Sequence, residues 1–298
     1  MIPMLQLRKI VSAFLAVVLT VVSCVTAATP KSGAKSQVTD KAISPTDNVI
    51  NLFDGRSLGN CYTWMKDTQR DDPRHVFRVD NGVLHVTGDG LGALVTKDRY
   101  RDYHLVLEFK WGDRTWHNRK NAARDSGLLI HSNGADGGYK GIWMPAIEVQ
   151  IIEGGAGDFV PVPGSDGNGK PVPIEYSCNV GRDRDGEVIW KEGGPLETFR
   201  RGNLKRVNWY GRDPDWADVK GFRGSKDQDS RPGIWTRFDV IADGGTIQVF
   251  VNGTKVNEAS DVSPREGRLQ LQTELAEIYF RRWELWPLGK GSKPEPAK

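Results

Sequence analysis

The chain has 298 residues, of which 38% are apolar and 27% are charged, and it contains 34 glycines. This composition is that of a folded protein, and it excludes a coiled coil, a collagen and a disordered chain. The formal charge of +3 arises in the terminal segments, because the body over 47–288 is acidic overall. The body therefore lacks the basic surface that nucleic-acid binding requires.

The N-terminus has the pattern of a secretory signal peptide. Arg8 and Lys9 precede an uncharged run from Ile10 to Ala28, whose most apolar part has the length of a signal-peptide core. We therefore expect residues 1–27 to be removed and the protein to be secreted or periplasmic. Two alternatives remain. The residues ending at Cys24 resemble a lipobox, which would make the protein a lipoprotein anchored at that cysteine, and an uncleaved run of this length could just span a bilayer.

The mature chain is expected to have three regions. A flexible linker over 28–46 leads to the folded body, and residues 289–298 form a disordered tail. Within the body, Cys61 and Cys178 are candidates for pairing in an oxidising compartment, although their spacing leaves open whether they meet. A structural zinc site is not expected, since the sequence has no Cys-x-x-Cys pair and no His-rich tract.

The body is predicted to be all β. From residue 49 onward, short stretches rich in β-branched and aromatic residues alternate with Gly, Asn and Asp. Turns that tolerate positive φ follow at Asp80-Asn81-Gly82, Asp243-Gly244-Gly245 and Asn252-Gly253. Ten or more strands without a helical period, in about 240 residues, predict one two-sheet β-sandwich of the jelly-roll kind. The candidate strands are His75–Val79, Val83–Thr87, Tyr103–Trp111, Gly127–His131, Ile147–Ile152, Val207–Tyr210, Thr236–Ala242, Thr246–Val251, Arg268–Gln272 and Ile278–Trp286.

The segment Gly154–Arg231 interrupts this pattern. It is rich in proline and glycine, carries two runs of alternating charge, and has few apolar stretches. A long, loop-rich insertion inside a compact domain is typically a set of functional loops or a lid over a site. The alternative is a variable insertion on the surface.

The strongest candidate for chemistry is the strand Ile147–Ile152. The period of two places Glu148 and Gln150 on one face, whereas Glu153 falls on the other face unless a bulge near the strand end inserts one residue. Polar residues alternating with Val and Ile indicate a sheet with one face in the core and one lining a wet groove. The alternative is a solvated outer face.

The same strand, Glu-x-Gln-x-x-Glu, is similar to the catalytic strand of family-16 glycoside hydrolases, which are β-sandwiches. Gln150 stands where those enzymes have Asp. Their retaining mechanism uses two carboxylates about 5–5.5 Å apart, and the departure at Gln150 weakens the case for that mechanism.

A second resemblance covers the body over 49–288. A series of short motifs occurs in the order found in the 3-keto-disaccharide hydrolase domain family, long catalogued as a domain of unknown function. His131 stands where many members have Arg, and Glu274 stands where a His often follows the Leu-Gln pair. The motifs are Asn51–Leu58, Gly92–Thr96, Tyr103–Lys110, Asp125–His131, Ile147–Ile151, Val249–Gly253, Leu269–Gln272 and Phe280–Arg282.

This resemblance implies a concanavalin-like jelly roll that acts on glycosides whose C3 hydroxyl has been oxidised to a ketone. The ketone acidifies the C2 proton, so a base can remove it, the C1 oxygen can leave, and water can add. Glu148 or His131 is the expected base, and the other member of the pair the acid. Gln150, Arg281 or a bound cation would stabilise the oxyanion. Direct attack of water, with Glu148 and Glu153 as the carboxylates, is the alternative.

Further side chains are candidates for binding the substrate or a metal. Gln272, Glu274 and Trp143 are expected to bind the sugar. Glu153 and Asp158 flank a glycine-rich turn and are candidate ligands of a divalent cation such as Ca²⁺, although the sequence requires no cofactor and both could merely cap a loop. Since core packing is the commoner fate of Trp, we expect about two of the five loop tryptophans to line a groove. These five are Trp116, Trp143, Trp209, Trp216 and Trp235.

The sequence therefore predicts an exported, carbohydrate-active β-sandwich that cleaves 3-keto-disaccharides or related 3-keto-glycosides. A non-catalytic, lectin-like carbohydrate-binding module on the same fold is the first alternative, and a family-16-like endoglycanase is the second. The sequence contains no dinucleotide-binding or phosphate-binding loop, so the protein is not expected to make the ketone itself. The expected partner is a carbohydrate, with no nucleic acid and no membrane span after processing.

Overall fold

The computed structural model describes residues 41–290 and 295–296. The predicted signal peptide, Cys24 and most of the predicted linker and tail lie outside the described residues. The strands are β1 (Ile50–Asn51), β2 (Cys61–Met65), β3 (Phe77–Asp80), β4 (Val83–Val86), β5 (Leu91–Thr96), β6 (Tyr103–Thr115), β7 (Asp125–Ser132), β8 (Ala146–Ile152), β9 (Phe159–Val162), β10 (Glu175–Arg182), β11 (Val188–Trp190), β12 (Leu196–Phe199), β13 (Thr236–Asp243), β14 (Thr246–Val251), β15 (Thr254–Ser263), β16 (Arg268–Glu274) and β17 (Ala276–Trp286). A single 3₁₀ turn, His117–Arg119, follows β6.

The described strands form two antiparallel sheets. The larger sheet has the order β11-β10-β15-β14-β13-β6-β17-β4-β3, with β1 beside β17 and β12 beside β10. The smaller sheet has the order β2-β5-β16-β7-β8-β9. The two sheets pack through their inner faces, which confirms the predicted all-β, two-sheet β-sandwich.

Alternation along the strands explains the core. In β14, Ile247, Val249 and Val251 are buried, while the residues between them are partly exposed. Large side chains of the larger sheet meet the apolar inner face of the smaller one, and the rings of Phe109 and Phe238 make an edge-to-face contact 5.1 Å apart. Removal of these side chains from water is the main stabilising contribution to the fold.

A second apolar cluster covers part of the outer face of the smaller sheet. Ala93, Val95 and Leu129 point to this face, and the loop over 133–145 packs on them through Trp143. The indole N–H of Trp143 donates a hydrogen bond of 3.0 Å to the carbonyl of Gly92 and so fixes the loop. The loop leaves the other, polar half of this face open.

The predicted insertion contains strands as well as loops. Four strands, β9 to β12, lie within Gly154–Arg231, and β10 joins β15 in the larger sheet. The predicted strand Val207–Tyr210 is wrong, because Val207 and Asn208 form only isolated bridges, to Phe159 and Ile189. The segment therefore completes both sheets.

The segments that flank the described body on both sides make contacts with its strands and loops. The N–H of Ile43, in the segment assigned to the linker, donates to the carbonyl of Arg99, and the carbonyl of Ile43 accepts from Arg101. Glu295, in the segment assigned to the tail, forms an ion pair of 3.0 Å with Arg237. The boundaries of the domain remain predictions.

Cys61 and Cys178 do not pair. Cys61 lies in β2 of the smaller sheet and Cys178 in β10 of the larger one, and both are buried free thiols. The strand order places these strands in different sheets, so the distance along the chain could not reveal the separation. Among residues 41–290 and 295–296, no helix is long and apolar enough to span a membrane.

Candidate functional site

A cavity of about 210 Å³ opens on the polar half of the smaller sheet's outer face. Its floor consists of Asp125 from β7, Glu148 and Gln150 from β8, and Gln272 and Glu274 from β16. Four of these five residues were predicted from the sequence as site residues. The structure brings these four together with Asp125, which was not predicted.

The register of β7 and β8 sets the floor. The two strands pair without a shift from Asp125 opposite Ile152 to Ile130 opposite Ile147. Because this register is continuous, Glu148 and Gln150 share the outer face while the residues between them enter the core. The predicted alternation is confirmed, and β8 contains no bulge that would bring Glu153 to the same face.

Gly127 makes room for the polar side chains of the floor. A Cβ atom at this position would overlap the carboxylate of Glu148 and the side-chain oxygen of Gln272. That oxygen is buried and has no hydrogen-bond partner within the described structure. A buried amide oxygen without a partner is costly, so Gln272 presents an acceptor that a ligand hydroxyl can satisfy.

The carboxyl groups of the cavity differ in their surroundings. Asp125 accepts a hydrogen bond of 2.9 Å from the amide of Gln150 and forms an ion pair of 2.9 Å with Arg119. Burial raises the pKa of Asp125 to about 6, against the opposing charges of Arg119 and Arg206. Asp125 is therefore the carboxyl group of the cavity that ionises near neutral pH.

Burial favours the neutral forms of Glu148 and Glu274. Burial raises the pKa of Glu148 well above its usual value, and the negative charge of Asp125 adds to this effect. Burial likewise raises the pKa of Glu274, with further contributions from Asp125 and Glu148, while Arg119 opposes the shift. The cavity thus combines a carboxyl group that ionises near pH 6 with two whose ionisation is opposed by burial, which is an arrangement suited to general acid–base chemistry.

Arg206 forms the basic wall of the cavity. Its Nε and Nη2 atoms donate to Oδ2 of Asp158, at 2.9 and 2.5 Å. Asp158 is fully buried, and it also accepts from Arg212 and from the backbone N–H of Trp209. One buried carboxylate therefore orients Arg206 at the cavity, where its charge lowers the pKa of both Asp125 and Glu148.

The other walls are aromatic and apolar. Tyr139 and Trp143 stack with their ring centroids 6.2 Å apart, and the ammonium group of Lys140 lies 4.9 Å above the Tyr139 ring. Residues 160–162 of β9 form the opposite rim. Flat rings beside carboxyl groups, an amide and cations are the mixture that binds the apolar faces and the hydroxyl groups of a sugar.

His131 does not reach this cavity. It has a φ of +51°, it is 1% exposed, and its ring meets the core residue Tyr103 edge-on at 5.8 Å. Its Nδ1–H donates to the carbonyl of Pro264, and burial lowers the pKa of the ring to about 4. An extra residue in β7, between the pairs Leu129–Gln270 and Ser132–Arg268, turns His131 away from the outer face. The expected acid–base pair of His131 and Glu148 is therefore not formed.

Glu153 and Asp158 are occupied by arginines. The carboxylate of Glu153 forms an ion pair of 2.5 Å with Arg124 and accepts the backbone N–H groups of Arg124 and Gly221. Neither it nor Asp158 lines the cavity. In the described part of the chain, no group of three or more His, Cys, Asp or Glu side chains could hold a metal ion. The two expected calcium ligands thus serve ion pairs within the fold.

Arg281 lies on the other side of the molecule. It belongs to β17 in the larger sheet, where its Nε donates to the carboxylate of Glu108 and its guanidinium group lies 4.5 Å from the ring of Trp235. The expected role of Arg281 at the sugar is therefore not supported.

Of the five loop tryptophans, Trp143 lines this cavity and Trp216 lines a neighbouring one.

Sequence reasoning missed Asp125, Arg206, Tyr139 and Lys140. Asp125 had a signal, because it stands two residues before Gly127 and so shares the outer face of the same strand. Arg206 had none, since it reaches the cavity from the insertion through contacts that are distant in sequence.

One family model matches most of the chain. Residues 48–285 match the model of the 3-keto-alpha-glucoside-1,2-lyase-like domain. The chain belongs to this family. Membership of the 3-keto-alpha-glucoside-1,2-lyase-like family, on a sandwich with a carboxyl-lined cavity, gives the protein a carbohydrate-related function.

Solved structures similar to this member of the family are distant. Two proteins from Parabacteroides distasonis ATCC 8503, both proposed to be glycosyl hydrolases, are 16% and 18% identical, with TM-scores of 0.47 and 0.43. Each comparison covers 81% of this chain, and it covers 94% of the first Parabacteroides protein and 100% of the second. The carbohydrate-binding module CBM66 from Bacillus subtilis is 11% identical, with a TM-score of 0.37, over 68% of this chain and 86% of the module. No match was found among curated proteins.

Proposed function

We propose that this protein cleaves 3-keto-glycosides by elimination, followed by addition of water. The observation that carries the proposal is the convergence of Asp125, Glu148 and Glu274 on one cavity of a domain from this family, with different protonation preferences. A base and a neutral acid in the same cavity are what the elimination requires.

In the first step, Asp125 acts as the base. The C3 ketone acidifies the hydrogen on C2, and the carboxylate of Asp125 removes it as a proton. The electron pair of the C2–H bond forms an enediolate, whose negative charge resides on the C3 oxygen. Arg206 and Lys140 provide positive charge at the cavity wall to stabilise this oxyanion.

In the second step, the bond between C1 and the glycosidic oxygen breaks. The enediolate re-forms the C3 ketone, a C1=C2 double bond is created, and the electron pair of the broken bond passes to the leaving oxygen. The neutral carboxyl group of Glu148 donates the proton that this oxygen needs. Addition of water across C1=C2 then yields the free 3-keto sugar, and transfer of the proton from Asp125 to Glu148 restores both groups.

The test measures release of the leaving group from 3-keto-trehalose and from methyl 3-keto-α-glucoside. Asp125→Asn and Glu148→Gln are each expected to lower kcat/KM by about 100-fold or more. Asp80→Asn is the matched control, since Asp80 is an exposed carboxylate of the larger sheet. If the wild-type protein releases nothing but binds the 3-keto sugars in calorimetry, the protein is a binding module and the proposal is wrong.

The carboxylate pair expected for a family-16-like mechanism, Glu148 with Glu153, is not formed. Its retaining form needs two carboxyl groups about 5–5.5 Å apart across the glycosidic bond. Glu153 faces Arg124 outside the cavity, so it cannot join Glu148 there. We accordingly expect no oligosaccharide release from an unoxidised polymer.

We also infer that the protein is exported. The supporting observation is the signal-like sequence, in which Arg8 and Lys9 precede an uncharged apolar run. The intact mass of the protein recovered from its natural host distinguishes the routes. A free N-terminus beyond residue 24 indicates a soluble exported protein, and a lipid-modified Cys24 indicates a lipoprotein. An intact residue 1 would contradict processing.

A further inference from the structure

A second cavity, of about 450 Å³, is also lined by Arg206. It is formed almost entirely by the predicted insertion, and Arg206 is the one residue that lines both cavities. Arg206 thus lies where the two cavities adjoin. The remaining lining residues are Gly186, Glu187, Val188, Lys205, Asn208, Arg212 and Trp216.

The side chains of the second cavity are held in place. Arg212 is 9% exposed and donates to Asp158, the same carboxylate that holds Arg206. Its guanidinium group lies 4.5 Å from the ring of Trp216, and the indole N–H of Trp216 donates 2.8 Å to the carbonyl of Glu153. The space is therefore preformed, which lowers the entropic cost of binding.

A glycine turn allows this arrangement. A Cβ atom at Gly155 would lie 2.7 Å from Nη1 of Arg212 and 3.1 Å from Nη2 of Arg206. Only a residue without a side chain lets both guanidinium groups approach Asp158. The glycine-rich turn that the sequence suggested as part of a calcium site thus makes room for two arginines.

The chemistry of the lining favours a sugar ring. The Trp216 ring, which is partly exposed and has Arg212 over one face, offers an apolar surface, while a carboxylate, an amide and three cations offer donors and acceptors for hydroxyl groups. Glu187 already accepts a hydrogen bond of 2.7 Å from Asn208, so both side chains are oriented. The first cavity, at about 210 Å³, is smaller than the roughly 300–1,000 Å³ typical of sites for larger ligands. It therefore holds one ring and not two.

We infer that the second cavity binds the leaving half of the substrate, a second sugar ring. This inference rests on the proposed function and adds to it the place where the second ring binds. The oxidised ring occupies the cavity of Asp125 and Glu148, and the glycosidic oxygen lies between the two spaces. The insertion is then part of the binding site for the leaving group.

The test compares two substrates that share the oxidised ring. Methyl 3-keto-α-glucoside leaves the second cavity empty, whereas 3-keto-trehalose fills it. We expect Trp216→Ala to raise KM for the disaccharide about 10-fold or more, and to leave KM for the methyl glycoside within about 2-fold. Lys205→Ala, at an exposed position where folding is not at risk, is expected to act in the same direction. Trp235→Ala, on the larger sheet, is the control.

The outcomes separate the two proposals. If both substrates are cleaved and Trp216→Ala affects them equally or not at all, the second cavity does not bind the leaving group. If neither substrate is cleaved, the proposed function fails, and calorimetry with the two 3-keto sugars then tests the cavity alone. In that case an equal effect of Trp216→Ala on both affinities overturns the inference.

Discussion

Arg206 illustrates how one residue acts through its surroundings. Asp158 accepts two of its N–H groups, and this contact directs the positive charge of Arg206 toward the carboxyl groups of the cavity. A fixed cation stabilises an oxyanion better than a mobile one, since no energy is needed to reorient it during the reaction. The fold thus uses a fully buried aspartate to orient a group at the site.

Replacement of Arg206 by Met is expected to change both rate and pH dependence. Loss of the cation should lower kcat/KM for methyl 3-keto-α-glucoside by about 10²–10³-fold. Because Arg206 lowers the pKa of Asp125, its removal lets that pKa rise above 6. The acid limb of the pH profile, which reports ionisation of the base, then moves to higher pH.

Arg212→Met is the control for this experiment. Arg212 shares Asp158 but lies outside the cavity of Asp125. The Arg212→Met variant should therefore leave the pH of the acid limb unchanged when the methyl glycoside is the substrate. If kcat/KM of Arg206→Met is lower than that of the wild type by the same factor at every pH, Arg206 only supports the fold.

The raised pKa values of Glu148 and Glu274 predict how stability depends on pH. A carboxyl group whose pKa is higher in the folded state stabilises the fold fully below its unfolded pKa, about 4.5, and this contribution is lost as the pH rises through the folded value. The melting temperature of Glu274→Gln is therefore expected to fall less than that of the wild type between pH 4 and pH 8.

Glu284→Gln provides a control of opposite sign. Burial acts to raise the pKa of Glu284, but hydrogen bonds from Arg282 and Trp286 outweigh it and the pKa is lowered. Its contribution is present above the unfolded pKa, so the deficit of this variant should grow as the pH rises. Equal pH slopes for the wild type and Glu274→Gln would contradict the assignment of Glu274 as a neutral acid.

At the level of elements, β7 determines what the cavity contains. The side chains of Glu148 and Gln272 pack over Gly127. The extra residue between Leu129 and Ser132 turns His131 into the core. The sequence predicted the alternation of β8 correctly because it is local. It could not place the extra residue in β7, because register depends on the pairing with β16, which is distant in the sequence.

Gly127→Ala is expected to damage the site more than the fold. The added methyl group would push the side chains of Glu148 and Gln272 apart, at a cost of about 1–3 kcal/mol in the free energy of unfolding. Activity should fall to the level of Glu148→Gln. The control is Gly167→Ala, since a Cβ atom at Gly167 meets nothing within 4 Å. Unchanged activity in Gly127→Ala would mean that Glu148 is not in the position described.

The insertion shows where prediction from sequence fails. Its strands β9 to β12 are only three to eight residues long, and three of them contain or directly follow a proline or glycine, so no local pattern distinguishes them from loops. Val207 was predicted as part of a strand from its apolar neighbours, yet it forms only a bridge with Phe159. Long-range pairing decides these cases.

At the level of the whole molecule, the sandwich keeps its two thiols apart. Burial raises the pKa of Cys61 to about 12 and also raises that of Cys178. Both thiols should therefore be unreactive in the folded protein, because the thiolate is the reactive form. The body over 47–288 is expected to show no reaction with a thiol reagent when native, and two equivalents when unfolded without reductant. No reaction after unfolding would reveal a disulfide.

The fold class and the family were predictable because each rests on a pattern spread along the whole body. The turns and alternating strands predict a sandwich, and the order of short motifs predicts the family. Which polar side chains meet was only partly predictable. Glu148 and Gln150 lie on one strand, so their shared face follows from the local sequence. Glu153 lies just beyond the end of β8, and Arg281 lies in the larger sheet, so their positions depend on the tertiary fold.

The cavity is built partly from strands and partly from loops. Its floor lies on neighbouring strands whose positions are fixed by hydrogen bonding, while its walls come from the loop over 133–145 and from the insertion. Loops tolerate changes in length and sequence that strands do not. Related proteins can therefore differ in the molecules they bind while keeping the same carboxyl groups on the floor, and a mutant library confined to these two segments would change binding preference without altering those groups.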